Sequence, residues 1–299
     1  MAAAEAAMLA AVTSFGVPAG RFMGSANQSS MSEAGKALFR LDGKVCLVTG
    51  GGGHLGTAMS TALAEAGGHV CVLGRTRAKL AGLVQRLSDR GLSAEAIALD
   101  VTSAEDIRSL VADLDRRHSR LDVLVNNAHA GRPGVMADSK AADYAGAIGI
   151  AVGAAAELVN AAGDLLRKAV SIGGDASVIN IASMYGMVSP DPRVYGQSGM
   201  NNPPHYGAAK AALLQYTRYA AVHLAPQRIR VNAISPGAFP PDATQQRDPA
   251  FAAALTQKVP MGRLGRPDDL AGAVVFLASS ASRFVTGANL PVDGGWTAW

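Results

Sequence analysis

The segment Val45–Gly56, VCLVTGGGGHLG, joins a short apolar run to a glycine-rich loop. The run Val45–Thr49, with its β-branched residues, predicts a strand buried on both faces of a sheet. Glycines after such a strand allow a tight turn and a close approach of the backbone to a pyrophosphate at the N-terminus of the next helix. We therefore predict a dinucleotide-binding loop. Its residues are Gly50, Gly52, Gly53, His54, Leu55 and Gly56.

The rest of the chain alternates apolar runs with helical patterns. Later strands are predicted at Val70–Leu73, Ala96–Leu99, Val123–Val125, Ser177–Ile181, Ile229–Ile234 and Asn289–Val292. Helices are predicted at Thr57–Ala66, Lys79–Arg90, Ala104–His118, Tyr144–Ala169, His205–Leu224 and Pro267–Ser279. This alternation predicts an α/β fold with a doubly wound parallel sheet, the Rossmann fold. We expect a single domain over residues 37–299 and a flexible N-terminal lead-in over residues 1–36.

Composition excludes several classes of protein. The 299 residues are 49% hydrophobic and 17% charged, with a net charge of +4 and scattered Lys and Arg, so nucleic acid is not an expected partner. We expect no apolar run to be long enough to span a membrane, and no membrane association is predicted. Cys46 and Cys71, the two cysteines, lie in predicted strands and favour reduced thiols and a cytoplasmic location. Because the histidines are not clustered in the sequence, no metal site is predicted.

Two arginines follow the second predicted strand, where an acidic residue would bind the ribose hydroxyls of NAD. Arg75 and Arg77 favour a 2′-phosphate instead, so NADP(H) is the preferred cofactor and NAD(H) the alternative. Asp100 ends the third strand, where it could face the adenine or cap a helix. Thr76 and Val101, beside these positions, are included in the predicted cofactor site.

Tyr206 and Lys210 are four residues apart in a predicted helix and therefore share one face. A nearby ammonium favours the phenolate, so such a pair can act as a general acid or base. Alone, the spacing is more often accidental than functional. Its meaning depends on the rest of the chain.

Taken in order, the motifs resemble those of the short-chain dehydrogenase/reductase family from about Leu41 to Trp299. The matching segments are the glycine loop, Asn126–Ala128, Ser183, Tyr206–Lys210, Ser235–Gly237 and Val292–Gly295. The resemblance implies that Tyr206 is the catalytic acid/base, that Lys210 lowers its pKa and holds the nicotinamide ribose, and that Ser183 binds the substrate oxygen. It also assigns cofactor contacts to Asn127, Ala128, Pro236 and Gly237, as well as to Tyr206 and Lys210.

The resemblance implies an NADP(H)-dependent oxidoreductase that interconverts a secondary alcohol and a ketone, assembled as a homo-oligomer, either a tetramer or a dimer. The expected small-molecule substrate is a sugar, a sugar acid or another ketone, with gluconate 5-dehydrogenase-like and 3-oxoacyl reductase-like proteins as the nearest types. Two alternatives stay open. One is a nucleotide-binding regulatory or scaffold protein with little turnover, and the other is an epimerase-type sugar-modifying enzyme.

Four positions depart from the family pattern. His54 and His129 stand where glycine is usual, and we expect His129 to pack rather than act. Ala151 aligns with an asparagine that holds a relay water, which would alter proton transfer to Lys210. The insert Met187–Pro204 lengthens the gap before Tyr206 and is expected to shape the substrate site. Phe239, Phe251 and Leu255, in the segment 238–258, are expected to close over the substrate.

Overall fold

The predicted apolar runs pair side by side in a computed structural model that describes residues 32–129, 134–196 and 201–299. Within these ranges seven parallel strands form one sheet in the order β3-β2-β1-β4-β5-β6-β7. The strands are β1 (Val45–Thr49), β2 (His69–Gly74), β3 (Ala94–Ala98), β4 (Val123–Asn126), β5 (Ala176–Ile181), β6 (Ile229–Pro236) and β7 (Asn289–Val292). The prediction of a doubly wound parallel sheet is confirmed. The predicted third strand was placed two residues too late at its start.

Helices connect the strands. They are α1 (Glu33–Ala37), α2 (His54–Glu65), α3 (Arg77–Ser88), α4 (Ala104–His118), α5 (Ala141–Ile148), α6 (Ala154–Ala161), α7 (Gly163–Gly173), α8 (Pro204–Leu224), α9 (Asp242–Arg247), α10 (Pro249–Lys258) and α11 (Ala271–Ala278). The first helix after the glycine loop begins at His54, three residues before its predicted start, because the loop closes directly into the helix. Residues Lys36–Trp299 form one compact unit. Most of the predicted lead-in, residues 1–31, lies outside the described residues.

Two apolar layers cover the two faces of the sheet, as the continuous apolar strands require. On one face, side chains of α4, α6, α7 and α8 pack against β1, β4, β5 and β6. On the other face, side chains of α2, α3 and α11 do so. Cys46 and Cys71 point to opposite layers, and both are free thiols, as predicted.

The strand order reverses between β1 and β4, and hydrogen bonds join these two strand ends. Thr49 Oγ1 accepts from the backbone N–H groups of Asn127 and Ala128 at 2.9 Å each. Asn127 Nδ2 donates to the carbonyl oxygens of Thr49 at 2.9 Å and Gly50 at 3.1 Å. The glycine loop is therefore fixed against the end of β4, at the topological switch point where such sheets bind ligands.

One long helix was predicted over Tyr144–Ala169, and this prediction was wrong. The segment divides into α5, a π-helical turn at Gly149–Gly153, α6 and α7. Gly149 and Gly153 bound the π-helical turn, and glycine inside a helix is less stable than alanine by about 0.5–1 kcal/mol.

The same segment corrects the expectation that no apolar run is long enough to span a membrane. The helical run Ala141–Ala161 has a mean hydropathy of 1.4 over its most apolar window and sufficient length. In the fold, α5 packs against α8, and α6 packs against α4.

Candidate active site

A cleft of about 390 Å³ opens at the carboxyl ends of β1, β2 and β4. It contains twelve of the predicted cofactor residues. These are Gly50, Gly52, Gly53, His54, Leu55, Gly56, Arg75, Thr76, Asp100, Val101, Asn127 and Ala128. The other four, Tyr206, Lys210, Pro236 and Gly237, are not in the lining of this cleft within the described residues. These twelve residues come from four separate loops and line one cleft.

The glycine loop leaves room for a ligand only because it lacks side chains. Gly50 has a φ of +61°, a conformation that favours glycine. A Cβ on Gly56 would lie 2.1 Å from the carbonyl oxygen of Gly50, so the first turn of α2 can approach the loop only with glycine there. The loop backbone then faces the cleft at the N-terminus of α2, which is the arrangement that binds a pyrophosphate. These residues fit a dinucleotide.

Basic side chains lie at the far end of the cleft. Arg75 lines it, as predicted, together with Lys79 in the first turn of α3. Within the described lining Arg77 is absent, so the second cation of this cleft is Lys79 and not the second arginine. Lys79 lies three residues after the N-cap Thr76, in the first turn of α3, and this position was its sequence signal.

Asp100 has a local structural role, but it is not the helix cap that was one of its two predicted alternatives. Its Oδ1 accepts from the Thr102 backbone N–H at 3.0 Å and from the Thr102 hydroxyl at 2.9 Å. These hydrogen bonds, with a smaller contribution from Arg75, lower the pKa of Asp100. The residue still lines the cleft. The helix cap itself is Ser103, whose side chain accepts from Asp106 N.

His54 connects the glycine loop to the segment after β6. Its Nε2 lies 3.1 Å from the carbonyl oxygen of Phe239, so the ring can donate a hydrogen bond to it. Phe239 itself packs on Gly265, where a Cβ would approach the ring to 2.6 Å. The ring of Phe239 therefore packs against the apolar layer of α2, α3 and α11. Its predicted closure over the substrate stays a prediction.

The three predicted catalytic side chains come from two neighbouring elements. Ser183 follows β5 and is buried, and its hydroxyl accepts from the Tyr185 backbone N–H at 3.1 Å. Tyr206 lies in the first turn of α8, and Lys210 lies one turn later with its Nζ 5.8 Å from the Tyr206 ring centre. A side-chain hydrogen bond also links Tyr206 to Ser183. The helix thus brings the phenol and the serine hydroxyl together.

Burial governs the protonation of this pair. It raises the pKa of Tyr206, which the hydrogen bond with Ser183 only partly offsets. The expected lowering of the Tyr206 pKa by Lys210 is therefore not found in this structure. Burial also lowers the pKa of Lys210 to about 8. The ammonium donates a hydrogen bond of 2.6 Å to the Ile181 carbonyl, which holds it beneath the tyrosine.

Two aromatic side chains lie beside Tyr206, and neither was assigned a catalytic role from the sequence. The His129 ring meets the Tyr206 ring edge-on, with 4.9 Å between centres, and it also lines the cofactor cleft. Desolvation, together with the charge of Lys210, lowers the pKa of His129, so the ring is neutral near pH 7. Tyr185 is half-buried, and burial together with the neighbouring Tyr195 raises its pKa. The only sequence signal for Tyr185 was its position two residues after Ser183.

Ala151 lies beside Lys210, as the alignment with the relay position required. Both line a small cavity behind the cleft, together with Asn126. The Oδ1 of Asn126 is buried and has no hydrogen-bond partner among the described residues. From Ala147 to Ala155 every side chain is apolar or absent, so no shift of the alignment would supply an asparagine here.

The insert before Tyr206 packs against α10. Asp191 forms an ion pair of 2.6 Å with Lys258, and the rings of Tyr195 and Phe251 lie 5.4 Å apart. Leu255 is buried in the same apolar cluster. Phe251 and Leu255 thus join the insert to the segment after β6. Residues 197–200 of the insert lie outside the described residues.

Pro236 and Gly237 end β6. Gly237 N donates to the Val292 carbonyl at 3.0 Å, and a Cβ on Gly237 would lie 2.5 Å from Asp293 Cα. The close approach of the segment after β7 therefore requires glycine here. Their predicted nicotinamide contact stays a prediction.

Comparison with known proteins gives a consistent result. A family profile described as "Enoyl-(Acyl carrier protein) reductase" matches residues 53–297. An uncharacterized oxidoreductase of Mycobacterium tuberculosis is 38% identical over 262 residues, which cover 87% of this chain and 94% of the relative. A rhamnolipids biosynthesis 3-oxoacyl-[acyl-carrier-protein] reductase of Pseudomonas aeruginosa is 34% identical over 86% of this chain and 98% of its own length.

A solved structure matches equally broadly. A gluconate 5-dehydrogenase from Burkholderia cenocepacia, in complex with NADP and tartrate, superimposes with a TM-score of 0.77 at 30% identity. The match covers 88% of this chain and 99% of that one.

Proposed function

We propose that this chain, which belongs to the short-chain dehydrogenase/reductase family of oxidoreductases, interconverts a secondary alcohol and a ketone with NADP(H). The observation that carries the proposal is the placement of Ser183, Tyr206 and Lys210 beside a cleft that fits a dinucleotide. A cofactor site without this group would suit binding alone. A proton donor beside it suits reduction of a carbonyl.

When bound, the nicotinamide supplies or accepts the hydride. In the direction of reduction, Tyr206 Oη donates its proton to the oxygen that becomes the alkoxide. The raised pKa keeps the phenol protonated and ready to donate. Ser183 Oγ donates a second hydrogen bond to the same oxygen, which stabilises the developing charge. Lys210, held by Ile181 O, places a cation near the tyrosine once the phenolate forms.

NADP(H) is proposed over NAD(H) because Arg75 and Lys79 line the end of the cleft next to β2. Guanidinium and ammonium groups bind a phosphate well, and the lining there has Asp100 as its carboxylate, which is already engaged by Thr102. The structural relative from Burkholderia cenocepacia binds NADP, which supports the same choice.

Sugars or sugar acids are proposed as the substrate class, with 3-oxoacyl compounds as the second class. The insert packs against α10, and Tyr185 and Tyr195, which carry hydroxyl groups, pack against their shared apolar cluster. Such groups can hydrogen-bond a polyol. The relatives named for gluconate and for 3-oxoacyl substrates support one class each.

A nucleotide-binding protein with little turnover is the second candidate. The observation in its favour is the apolar segment beside Lys210, which gives no polar side chain for a proton relay. The hydrogen bond between Tyr206 and Ser183 favours the enzyme, since a protein that only binds a nucleotide does not need it.

The test is NADPH consumption by the purified full chain with a panel of sugar ketones, keto-acids and 3-oxoacyl thioesters, alongside direct measurement of NADPH binding. We expect tight NADPH binding and turnover of at least one ketone class, with slower turnover when NADH replaces NADPH. Tight binding with no consumption across the panel would favour the second candidate.

A homo-oligomer, as a tetramer or a dimer, is also proposed, and so is a cytoplasmic location. Exposed apolar side chains on α8, Tyr219 and Val222, support the oligomer because water disfavours such patches. Light scattering on a sizing column measures the mass directly. A monomer at micromolar concentration would contradict the proposal.

A further inference from the structure

Four side chains with metal-binding chemistry meet at the end of the sheet opposite the cofactor cleft. His69 and Cys71 alternate along β2 and therefore share a face. Glu95 on β3 is the register partner of Cys71. His118 is the last residue of α4, which packs over these strands. The four ligand atoms lie within 4.8 Å of one another.

One carboxylate oxygen is the centre of this cluster. Glu95 Oε1 accepts from the Cys71 thiol at 3.0 Å and lies 2.9 Å from His118 Nε2. It is 3.5 Å from His69 Nε2. Ligand atoms around a tetrahedral zinc ion lie about 3.3 to 3.7 Å apart. The cluster therefore needs only small side-chain movements to enclose such an ion.

His69 supplies the observation that separates this cluster from an ordinary hydrogen-bonded group. Its Nδ1 lies 2.7 Å from Ser93 Oγ, and we assign the ring proton to that bond. Its Nε2 is buried and has no hydrogen-bond partner among the described residues. A lone pair on this nitrogen then faces a carboxylate oxygen, and a cation between them would satisfy both. Metal-bound histidines commonly donate their other N–H in this way.

The cluster offers two negative charges to a divalent cation, and the guanidinium of Arg117, 3.4 Å from His118 Nε2, has to turn away from that nitrogen when the metal binds. A thiolate from Cys71 and the carboxylate of Glu95 balance two positive charges. Arg117 pairs with the other carboxylate oxygen, Oε2, and with Asp113, so it leaves Oε1 available. This outer contact orients Glu95 for binding through a single oxygen.

We propose that His69, Cys71, Glu95 and His118 form a binding site for Zn²⁺ or a divalent transition metal of similar preference. Two imidazoles, one thiolate and one carboxylate are a donor set that Zn²⁺ favours, and four protein ligands indicate a structural role. At ~3.3 Å per strand residue, His69 lies about 17 Å and Cys71 about 10 Å from Gly74, the last residue of β2 and the one nearest Arg75. The site is therefore separate from the cofactor cleft. No metal site was predicted from the sequence because these histidines are 49 residues apart in the chain. In the fold they lie close together.

Binding replaces the Cys71 S–H bond with a metal–sulfur bond and releases one proton to solvent. No electron is transferred. The imidazoles bind in their neutral form, so the complex consists of the ion, two neutral ligands and two anionic ligands.

The test uses untagged full-length protein that has been treated with a chelator and then titrated with Co²⁺, whose thiolate complexes absorb in the near ultraviolet. We expect one equivalent of Co²⁺ to give a thiolate-to-cobalt absorption band, and Zn²⁺ to abolish it by displacement. Cys71→Ser is expected to lose the band. His118→Gln is expected to weaken binding, and its position at the end of a helix makes it the safer variant for folding.

Matched controls are Cys46→Ser, on the opposite face of the sheet, and His223→Gln, exposed on α8. Both are expected to keep the band. NADPH binding reports that each variant is folded. If wild type gives no band at a tenfold excess of Co²⁺, or if folded His118→Gln binds as tightly as wild type, the proposed site is wrong.

Discussion

The two sides of the candidate active site differ in the chemical groups that form them. On the cofactor side, the loop 50–56 is largely backbone, shaped by glycines whose missing Cβ atoms leave the space, and the segments 75–79 and 100–102 add side chains to the lining. On the proton-transfer side, the proposed chemistry depends on Ser183, Tyr206 and Lys210. The regular helix α8 carries two of these three, whereas the neighbouring segment 141–153 is apolar and broken by a π-helical turn.

This difference has a consequence for function. Side-chain substitutions on the cofactor side should change affinity for the nucleotide, whereas substitutions on the proton-transfer side should change turnover. On the proton-transfer side, the segment Ala147–Ala155 beside Lys210 has no polar side chain that could bind the buried ammonium. The following substitutions test that division.

Tyr206→Phe should have the largest effect. It removes the proposed proton donor and keeps the ring, so turnover is expected to fall by about 10²- to 10⁴-fold while the Kd for NADPH changes little. Steady-state kinetics and a fluorescence titration of NADPH measure the two quantities. Tyr216→Phe, on the same helix but packed in the core, is the control and should keep its turnover. Equal losses in binding and turnover would break the division between the two sides.

Lys210→Met should have the next largest effect. Removing the cation beneath Tyr206 is expected to lower turnover on the order of 10²-fold, since the developing phenolate loses its electrostatic partner. The same kinetic assay checks this. Turnover equal to that of wild type would show that the buried ammonium does not serve the reaction.

The stability of the Lys210→Met protein should also depend on pH relative to wild type. Burial lowers the Lys210 pKa to about 8 in the folded protein, against 10.5 as its ordinary value. Folding therefore favours the neutral amine, and wild type gains stability as pH rises from 8 to 10.5. The Tm of Lys210→Met minus that of wild type should fall over this window. A difference that is constant with pH would contradict the lowered pKa.

Arg75→Ala tests the cofactor side. Loss of a charge-assisted hydrogen bond to a phosphate should weaken NADPH binding by about 10- to 100-fold and NADH binding much less. Arg77→Ala is the matched control, because Arg77 has the same chemistry two residues away and is not in the described lining of the cleft. Equal losses for both cofactors, or equal effects of both arginines, would remove Arg75 from the phosphate site.

Ala151→Asn should have the smallest effect, and it tests whether the lack of a polar group in the apolar segment limits turnover. An amide here would face the cavity shared by Lys210 and Asn126, and a modest rise in turnover is expected. Ala151→Leu introduces a side chain of the same branching but larger and without polarity, and it should not raise turnover, because it supplies no polar group beside Lys210. The same response to both substitutions would mean that volume, and not the missing polar group, limits the site.

The sequence predicted the regular parts of the molecule well. Continuous apolar strands and the glycine loop depend on local patterns, so the sheet and the position of the glycine loop followed from them, whereas Asn127 and Ala128 were assigned through the family resemblance. The break at Gly149–Gly153 could not be predicted, because an alanine-rich run is compatible with an unbroken helix. The contact of His129 with Tyr206 was missed because it arises when distant segments pack together. Lys79 was missed although it is close to Arg75 in the sequence, because only the packing shows that its side chain lines the cleft.

The central claim is that this chain moves a hydride between NADPH and a ketone while Tyr206 supplies the proton. Its most direct test is incubation of the wild-type protein and Tyr206→Phe with a ketone substrate and NADPH that carries deuterium at both hydrogen positions of C4 of the nicotinamide, followed by mass spectrometry of the alcohol. We predict one deuterium at the carbinol carbon of the wild-type product and almost no product from Tyr206→Phe. An alcohol formed without the label, or equal labelled product from both proteins, would contradict the claim.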